Sequence, residues 1–181
     1  VHDETALRRL DWERHEAALT AQLSGGQVGY VHLADMQNLG MQEFVRSLYP
    51  QLGKAALVID ERWNGGGNTD QIVLERLRRV MSSLQMLQDR VPQTQPDQVQ
   101  VGPKAMLINH FAGSDGDVFP YHFRAYGLGP LVGTRPWGGV RGIEWFWPLL
   151  DGGYVTVPQI TFYDTHHQWL IEVAAAAQSR P

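Results

Sequence analysis

The chain has 181 residues, of which 43% are hydrophobic and 19% charged, the balance of a single folded domain and not of a disordered segment. A net charge of −4 with both signs interspersed gives no electrostatic footprint for nucleic acid, and no apolar run is long enough to span a bilayer. There are no cysteines, which excludes disulfides and thiol chemistry.

The sequence opens on Val1, with no charged-then-apolar leader, so it reads as a piece or processed product of a longer polypeptide. A cytoplasmic location is expected, although the lack of cysteine also fits an exported protein. Residues 1–27 form a lead-in, polar with Leu7, Leu10, Trp12 and Leu23 interspersed, that belongs in part to a preceding module. Ser24-Gly25-Gly26 is a turn. Val28 to Leu33 alternates as a strand with Tyr30 and His32 on one face. Apolar residues at 41, 44, 45, 48 and 49 have the spacing of an amphipathic helix that Pro50 follows.

Ala55 to Ile59 is a short apolar run, the pattern of a strand buried on both faces. It leads into Asn64-Gly65-Gly66-Gly67, and Thr69 or Asp70 caps a helix whose stripe runs through 72, 73, 74, 77, 80 and 81. Residues 88–103, rich in proline and glutamine, read as a surface loop. Lys104 to Ile108 is a second buried strand, and Phe119 to Tyr126 is helical with Pro120 in its first turns. Short aromatic and β-branched runs at 130–133, 143–149 and 154–163 follow, separated by glycine pairs. The order argues for an α/β domain with parallel central strands, flanking helices and a C-terminal antiparallel strand extension. Residues 173–181 form an alanine-rich tail.

In an open α/β sheet, ligands bind beyond the carboxyl ends of the strands. Two loops there stand out. Gly65-Gly66-Gly67 lets backbone N–H groups point into a shared space, because no Cβ blocks the approach. Ser114, in Gly113-Ser114-Asp115-Gly116-Asp117, opens a helix whose free N–H groups favour negative charge. Those are the conditions for stabilising an oxyanion when a serine attacks a carbonyl. Taken singly, the serine is also a plain N-cap and the glycines a plain turn. No His or carboxylate pair has helical ligand spacing with a third partner, so no metal and no cofactor is expected.

Several ordered segments carry a family likeness: Gly29-Tyr30-Val31-His32-Leu33-Ala34-Asp35-Met36, Asp60-Glu61-Arg62-Trp63-Asn64-Gly65-Gly66-Gly67, and Ala112-Gly113-Ser114-Asp115-Gly116-Asp117-Val118-Phe119. Tyr126-Gly127-Leu128-Gly129 and Gly133-Thr134-Arg135-Pro136-Trp137-Gly138-Gly139-Val140 continue it. From about residue 28 to 172 the chain resembles the nucleophile-bearing, C-terminal catalytic domain of the tricorn-type proteases, in the tail-specific (C-terminal processing) serine peptidase superfamily. The resemblance implies a ClpP/crotonase-type α/β fold and peptide substrates. It implies Ser114 as nucleophile, the backbone N–H groups of Gly67 and Asp115 as oxyanion donors, Gly66 beside the substrate, and Glu172 as the carboxylate that orients the catalytic histidine.

It also implies that the histidine lies in an upstream catalytic domain, separated by a PDZ-like module, so the chain alone is expected to be inactive or nearly so. Assembly into a homo-oligomer is expected as well. Counted without gaps, the position that holds an acidic S1 residue in the family falls on Gln85, with Asp89 nearby, which points away from basic P1 side chains. After Glu172 the family's glycine, proline and acidic pattern gives way here to alanines. Two other readings stand beside this one. A non-catalytic domain could bind peptides at a strand edge or assemble through Trp145-Phe146-Trp147-Pro148. An acyl-CoA enzyme of the crotonase group would share the fold without needing Ser114.

Overall fold

The computed structural model describes residues 3–169; Glu172 and the tail 173–181 lie outside the described residues. Four parallel strands form the central sheet in chain order: β1 (Val28–His32), β2 (Ala56–Asp60), β5 (Lys104–Ile108) and β6 (Leu131–Gly133). Three helices make the crossovers, α2 (Asn38–Leu48), α3 (Asp70–Leu77) and α4 (Asp115–Ala125). All three pack on one face. Val31, Leu33, Leu57, Ile59, Met106 and Ile108 meet Phe44 and Leu48 of α2, Val73, Leu74 and Leu77 of α3, and Phe119 and Phe123 of α4 in one buried core. Alternation along each strand sends these residues to one side and Tyr30, His32 and Asp60 to the other.

Among the described residues, α1 (Thr5–Leu23) covers that second side near β1. Within this lead-in helix, Glu13 bonds His32 Nδ1 at 2.8 Å and Glu16 accepts from Arg62 at 2.9 Å, while Arg9 reaches Glu43 of α2 at 2.8 Å. The expected two-sided burial of β2 is therefore incomplete: Ala56 and Val58 stay half-buried. At the free edge of β1, the Gln51 side chain stands in for a neighbouring strand. Its Oε1 accepts from Tyr30 N–H and its Nε2 donates to Tyr30 O, each at 2.8 Å, which satisfies edge groups that would otherwise be left unpaired.

Three local expectations are corrected. Helix α3 ends at Leu77, so Val80 and Met81 are exposed; the stripe continued in sequence but found no core to face. Residues 88–103 are not all loop, because β4 (Gln93–Gln95) pairs antiparallel with β3 (Ser83–Gln85) in an outlying hairpin. Helix α4 starts at Asp115, four residues before the expected start, which makes Pro120 its sixth residue. The aromatic runs form a second antiparallel pair, β7 (Gly142–Pro148) and β8 (Tyr154–Ile160). Beyond β8, Phe162 packs with Val118, Tyr121 and Val140, returning the chain to α4. No described helix is long and apolar enough to cross a membrane.

Phe123 has 0% exposure and touches Phe119 edge-on, ring centroids 6.4 Å apart. Phe123→Ala is expected to cost about 3–5 kcal/mol, because truncation leaves a cavity at the helix–sheet contact. Urea unfolding reads this as a lower midpoint at an unchanged slope.

Candidate active site

Two loops meet at the carboxyl end of the sheet, and Asn64 ties them together. It has 0% exposure; its Nδ2 donates to Leu33 O at 2.9 Å and its Oδ1 accepts from Gly66 N–H at 2.8 Å. Its backbone carbonyl accepts from Gly113 N–H at 3.1 Å, joining the glycine loop to the segment that carries Ser114. The glycine loop also runs beside Met36: Met36 N–H donates to Gly66 O, and Asn68 and Thr69 N–H donate to Met36 O. Side chains have no room here. A Cβ on Gly67, which has φ +151°, would lie 1.9 Å from Met36 O; one on Gly66 would lie 2.8 Å from Ser114 Cβ and 3.2 Å from Asp115 N.

Ser114 occupies the N-cap of α4 with φ +58° and ψ −119°, a left-handed backbone that a non-glycine residue adopts only at a cost. A strand-to-helix turn of this kind lifts the serine hydroxyl out of the surface, and Ser114 is exposed. The turn is pinned from outside by the 134–139 loop. Ser114 N–H donates to Gly138 O at 2.8 Å, Trp137 N–H donates to Ala112 O at 2.7 Å, and Asp117 Oδ2 accepts from Gly138 N–H at 2.9 Å. The N–H groups of Gly67 and Asp115 donate to no partner among the described residues, so two unused donors flank an exposed hydroxyl.

Beneath the turn lies a set of buried acids that sequence reasoning missed. Glu61 has 0% exposure, and neither carboxyl oxygen has a hydrogen-bond partner. Burial, then the charges of Asp115, Asp60, Asp117 and Asp70, holds it well above the ordinary range. Asp115 Oδ2 accepts from Asp70 N–H at 3.4 Å. Burial and then the neighbouring Asp70 push the Asp115 carboxyl up to about 7. Asp70 is raised too, chiefly by burial. The sequence signal was available only as five acids spread over one strand end and two helix starts.

The structure brings Ser114, Asp115, Gly66 and Gly67 together. Gln85 lies on the exposed β3–β4 hairpin, where its Oε1 accepts from Gln95 Nε2 at 2.7 Å. Glu172 lies outside the described residues. No described histidine hydrogen-bonds Ser114: His32 is buried between Glu13 and the Arg62 carbonyl, His110 is exposed against Phe111, and His166 and His167 lie in an exposed turn. Among the described residues, no group of three His, Cys, Asp or Glu could hold a metal ion.

A strand-to-helix serine facing a glycine loop with free N–H groups can stabilise an oxyanion beside its hydroxyl. The chain belongs to Peptidase family S41, whose family model matches residues 27–176. It is 37% identical over 170 residues to tricorn protease homolog 1 of Streptomyces coelicolor, covering 94% of this chain and 16% of that protein. It is 34% identical over 163 residues to the tricorn protease of Thermoplasma volcanium, covering 90% of this chain and 16% of that one. Among solved structures, the crystal structure of the tricorn protease superposes with a TM-score of 0.81 at 31% identity, over 88% of this chain and 16% of its own. The photosystem II D1 C-terminal processing protease shares the fold, with a TM-score of 0.51 at 24% identity over 72% of this chain and 36% of its own.

Proposed function

We propose that the chain is the nucleophile-bearing part of a serine endopeptidase that cleaves peptides through an acyl-enzyme. The observation that carries this reading is the exposed, left-handed Ser114 beside the unbonded N–H groups of Gly67 and Asp115. Ser114 Oγ attacks the scissile carbonyl carbon while a base takes its proton. The carbonyl oxygen, now an oxyanion, accepts from the two N–H groups, and the leaving amine takes the proton as the carbonyl re-forms. Water then hydrolyses the ester by the same route.

The base is a histidine supplied by an upstream domain of a longer polypeptide, separated by a PDZ-like module, and Glu172 is the carboxylate that orients it. Homo-oligomerisation belongs to the same proposal. So does a preference for P1 side chains other than Lys and Arg, which a cleavage profile dominated by those residues overturns.

A fluorophosphonate probe followed by peptide mass spectrometry tests the chemistry. Modification of Ser114 is expected in the longer polypeptide and not in the 181-residue chain alone. No labelling in either favours the non-catalytic peptide-binding reading.

A further inference from the structure

Beside the glycine loop, a pocket of about 380 Å³ is lined by Thr5, Arg9, Trp12, His32, Ala34 and Trp63. One wall is continuous with the loop itself: Trp63 immediately precedes Asn64, and Ala34 O accepts Gly65 N–H at 3.0 Å. Trp63 has φ +63°, a backbone state that a bulky side chain occupies only under constraint and that clusters at ligand sites. Its indole remains 48% exposed. It meets Trp12 edge-on at 5.1 Å and stacks near-parallel to Phe111, three residues before Ser114, at 6.0 Å.

The charges around this pocket are already answered within the chain. Arg62, which lies over Trp12 at 4.9 Å, pairs with Asp60 and Glu16. Arg9 pairs with Glu13 and Glu43. His32 is engaged on both ring nitrogens, by Glu13 and the Arg62 carbonyl. Each of these charged groups already has a partner within the chain, whereas two indole faces and Ala34 offer apolar and edge-to-face contact. The volume suits one bulky side chain with its adjoining backbone.

We propose that this pocket is a subsite for an uncharged aromatic side chain of the peptide held along the glycine loop. The proposal rests on the peptidase reading for the peptide's presence, but its test does not require turnover. Each of the six tryptophans gives one indole N–H signal by NMR, assignable through single Trp→Phe variants. Acetyl-Ala-Phe-Ala-amide is expected to shift the Trp12 and Trp63 signals saturably, with acetyl-Ala-Ala-Ala-amide and acetyl-Ala-Lys-Ala-amide shifting them far less. Ala34→Leu, which fills the pocket and keeps both indoles, is expected to weaken the phenylalanine peptide by about tenfold or more.

Trp63→Ala, at a half-exposed position, is a second variant expected to do the same should Ala34→Leu fail to fold. Fluorophosphonate labelling of Ser114 in the longer polypeptide reads the nucleophile separately, so failure of that reading and failure of the subsite are told apart. The subsite is overturned if the three peptides act alike, if the shifts fall on other tryptophans, or if a folded Ala34→Leu or Trp63→Ala binds undiminished.

Discussion

Gly67→Ala is expected to slow fluorophosphonate labelling of Ser114 in the longer polypeptide by about 10²–10³, the range for removing one oxyanion donor. The cause is steric and local. At φ +151° an alanine is strained whatever space surrounds it, and here its Cβ would sit 1.9 Å from the Met36 carbonyl oxygen. That carbonyl also accepts from Asn68 and Thr69, so it cannot retreat without opening the start of α3. The loop must shift instead, and its free N–H turns away from the place where the oxyanion forms. Gly25→Ala supplies the control. Gly25 has φ +59° with nothing within 4 Å of its added Cβ, so it carries a backbone cost of about 1 kcal/mol and no collision. Its labelling rate should match the parent's. Equal slowing in both variants would mean that Gly67 acts through general stability and that its N–H is not the donor.

How much of this was legible follows from where each signal sits. The buried strands at 55–59 and 104–108 announced themselves because continuous apolar runs end in glycine-rich loops, and both loops lie at the carboxyl end of the sheet. That the Gly65-Gly66-Gly67 loop and the Ser114 turn lie close could be read because they follow neighbouring strands of the sheet. The start of α4 was legible only in part: Ser114 reads as a helix N-cap, but Asp115-Gly116-Asp117 carries no apolar spacing, so the helical run shows only from Phe119. The end of α3 failed for the opposite reason: Val80 and Met81 extend the helical period past the last residue that meets the sheet. The β3–β4 hairpin joins two runs of three residues each, too short for alternation to betray them. The aromatic pocket needs α1 laid against β1 before Trp12 can meet Trp63, a contact that no periodicity encodes. Glu61 reads as an ordinary charged residue after a strand. Its burial arises only when α3 and α4 both begin above it.

Those buried acids give the second large expectation: stability should fall as pH rises from about 5 to 8. The Asp115 carboxyl holds its proton up to about 7 in the fold, against 3.8 for the unfolded chain. Between those values the unfolded state binds fewer protons, so each step up in pH favours unfolding. The contribution is complete below 3.8 and gone above about 7. Glu61, raised well above 4.5, acts in the same direction. Facing this pair are Asp70, Asp60 and Asp117, together with His122, whose own protonation burial disfavours. Arg62 answers the Asp60 charge, while Asp70, beside Asp115, opposes a second ionisation. After allowance for screening, the Asp115 share is about 1–2 kcal/mol, a shift in melting temperature of roughly 2–8 °C. Thermal melts at pH 5.5 and 8.0 measure it. Asp115→Asn keeps the acceptor for Asp70 N–H and removes the ionisation, so its melting temperature should change less between the two conditions than the parent's. Glu61→Gln should flatten the dependence further in the double variant. Opposed to this are Glu13, Asp3 and Asp164, whose lowered carboxyls cost stability only in more acidic solution. A parent melting temperature that rises from pH 5.5 to 8.0 would mean that Asp70 and Asp115 are both ionised throughout, and the turn beneath Ser114 would then need a cation or ordered water to hold its acids together.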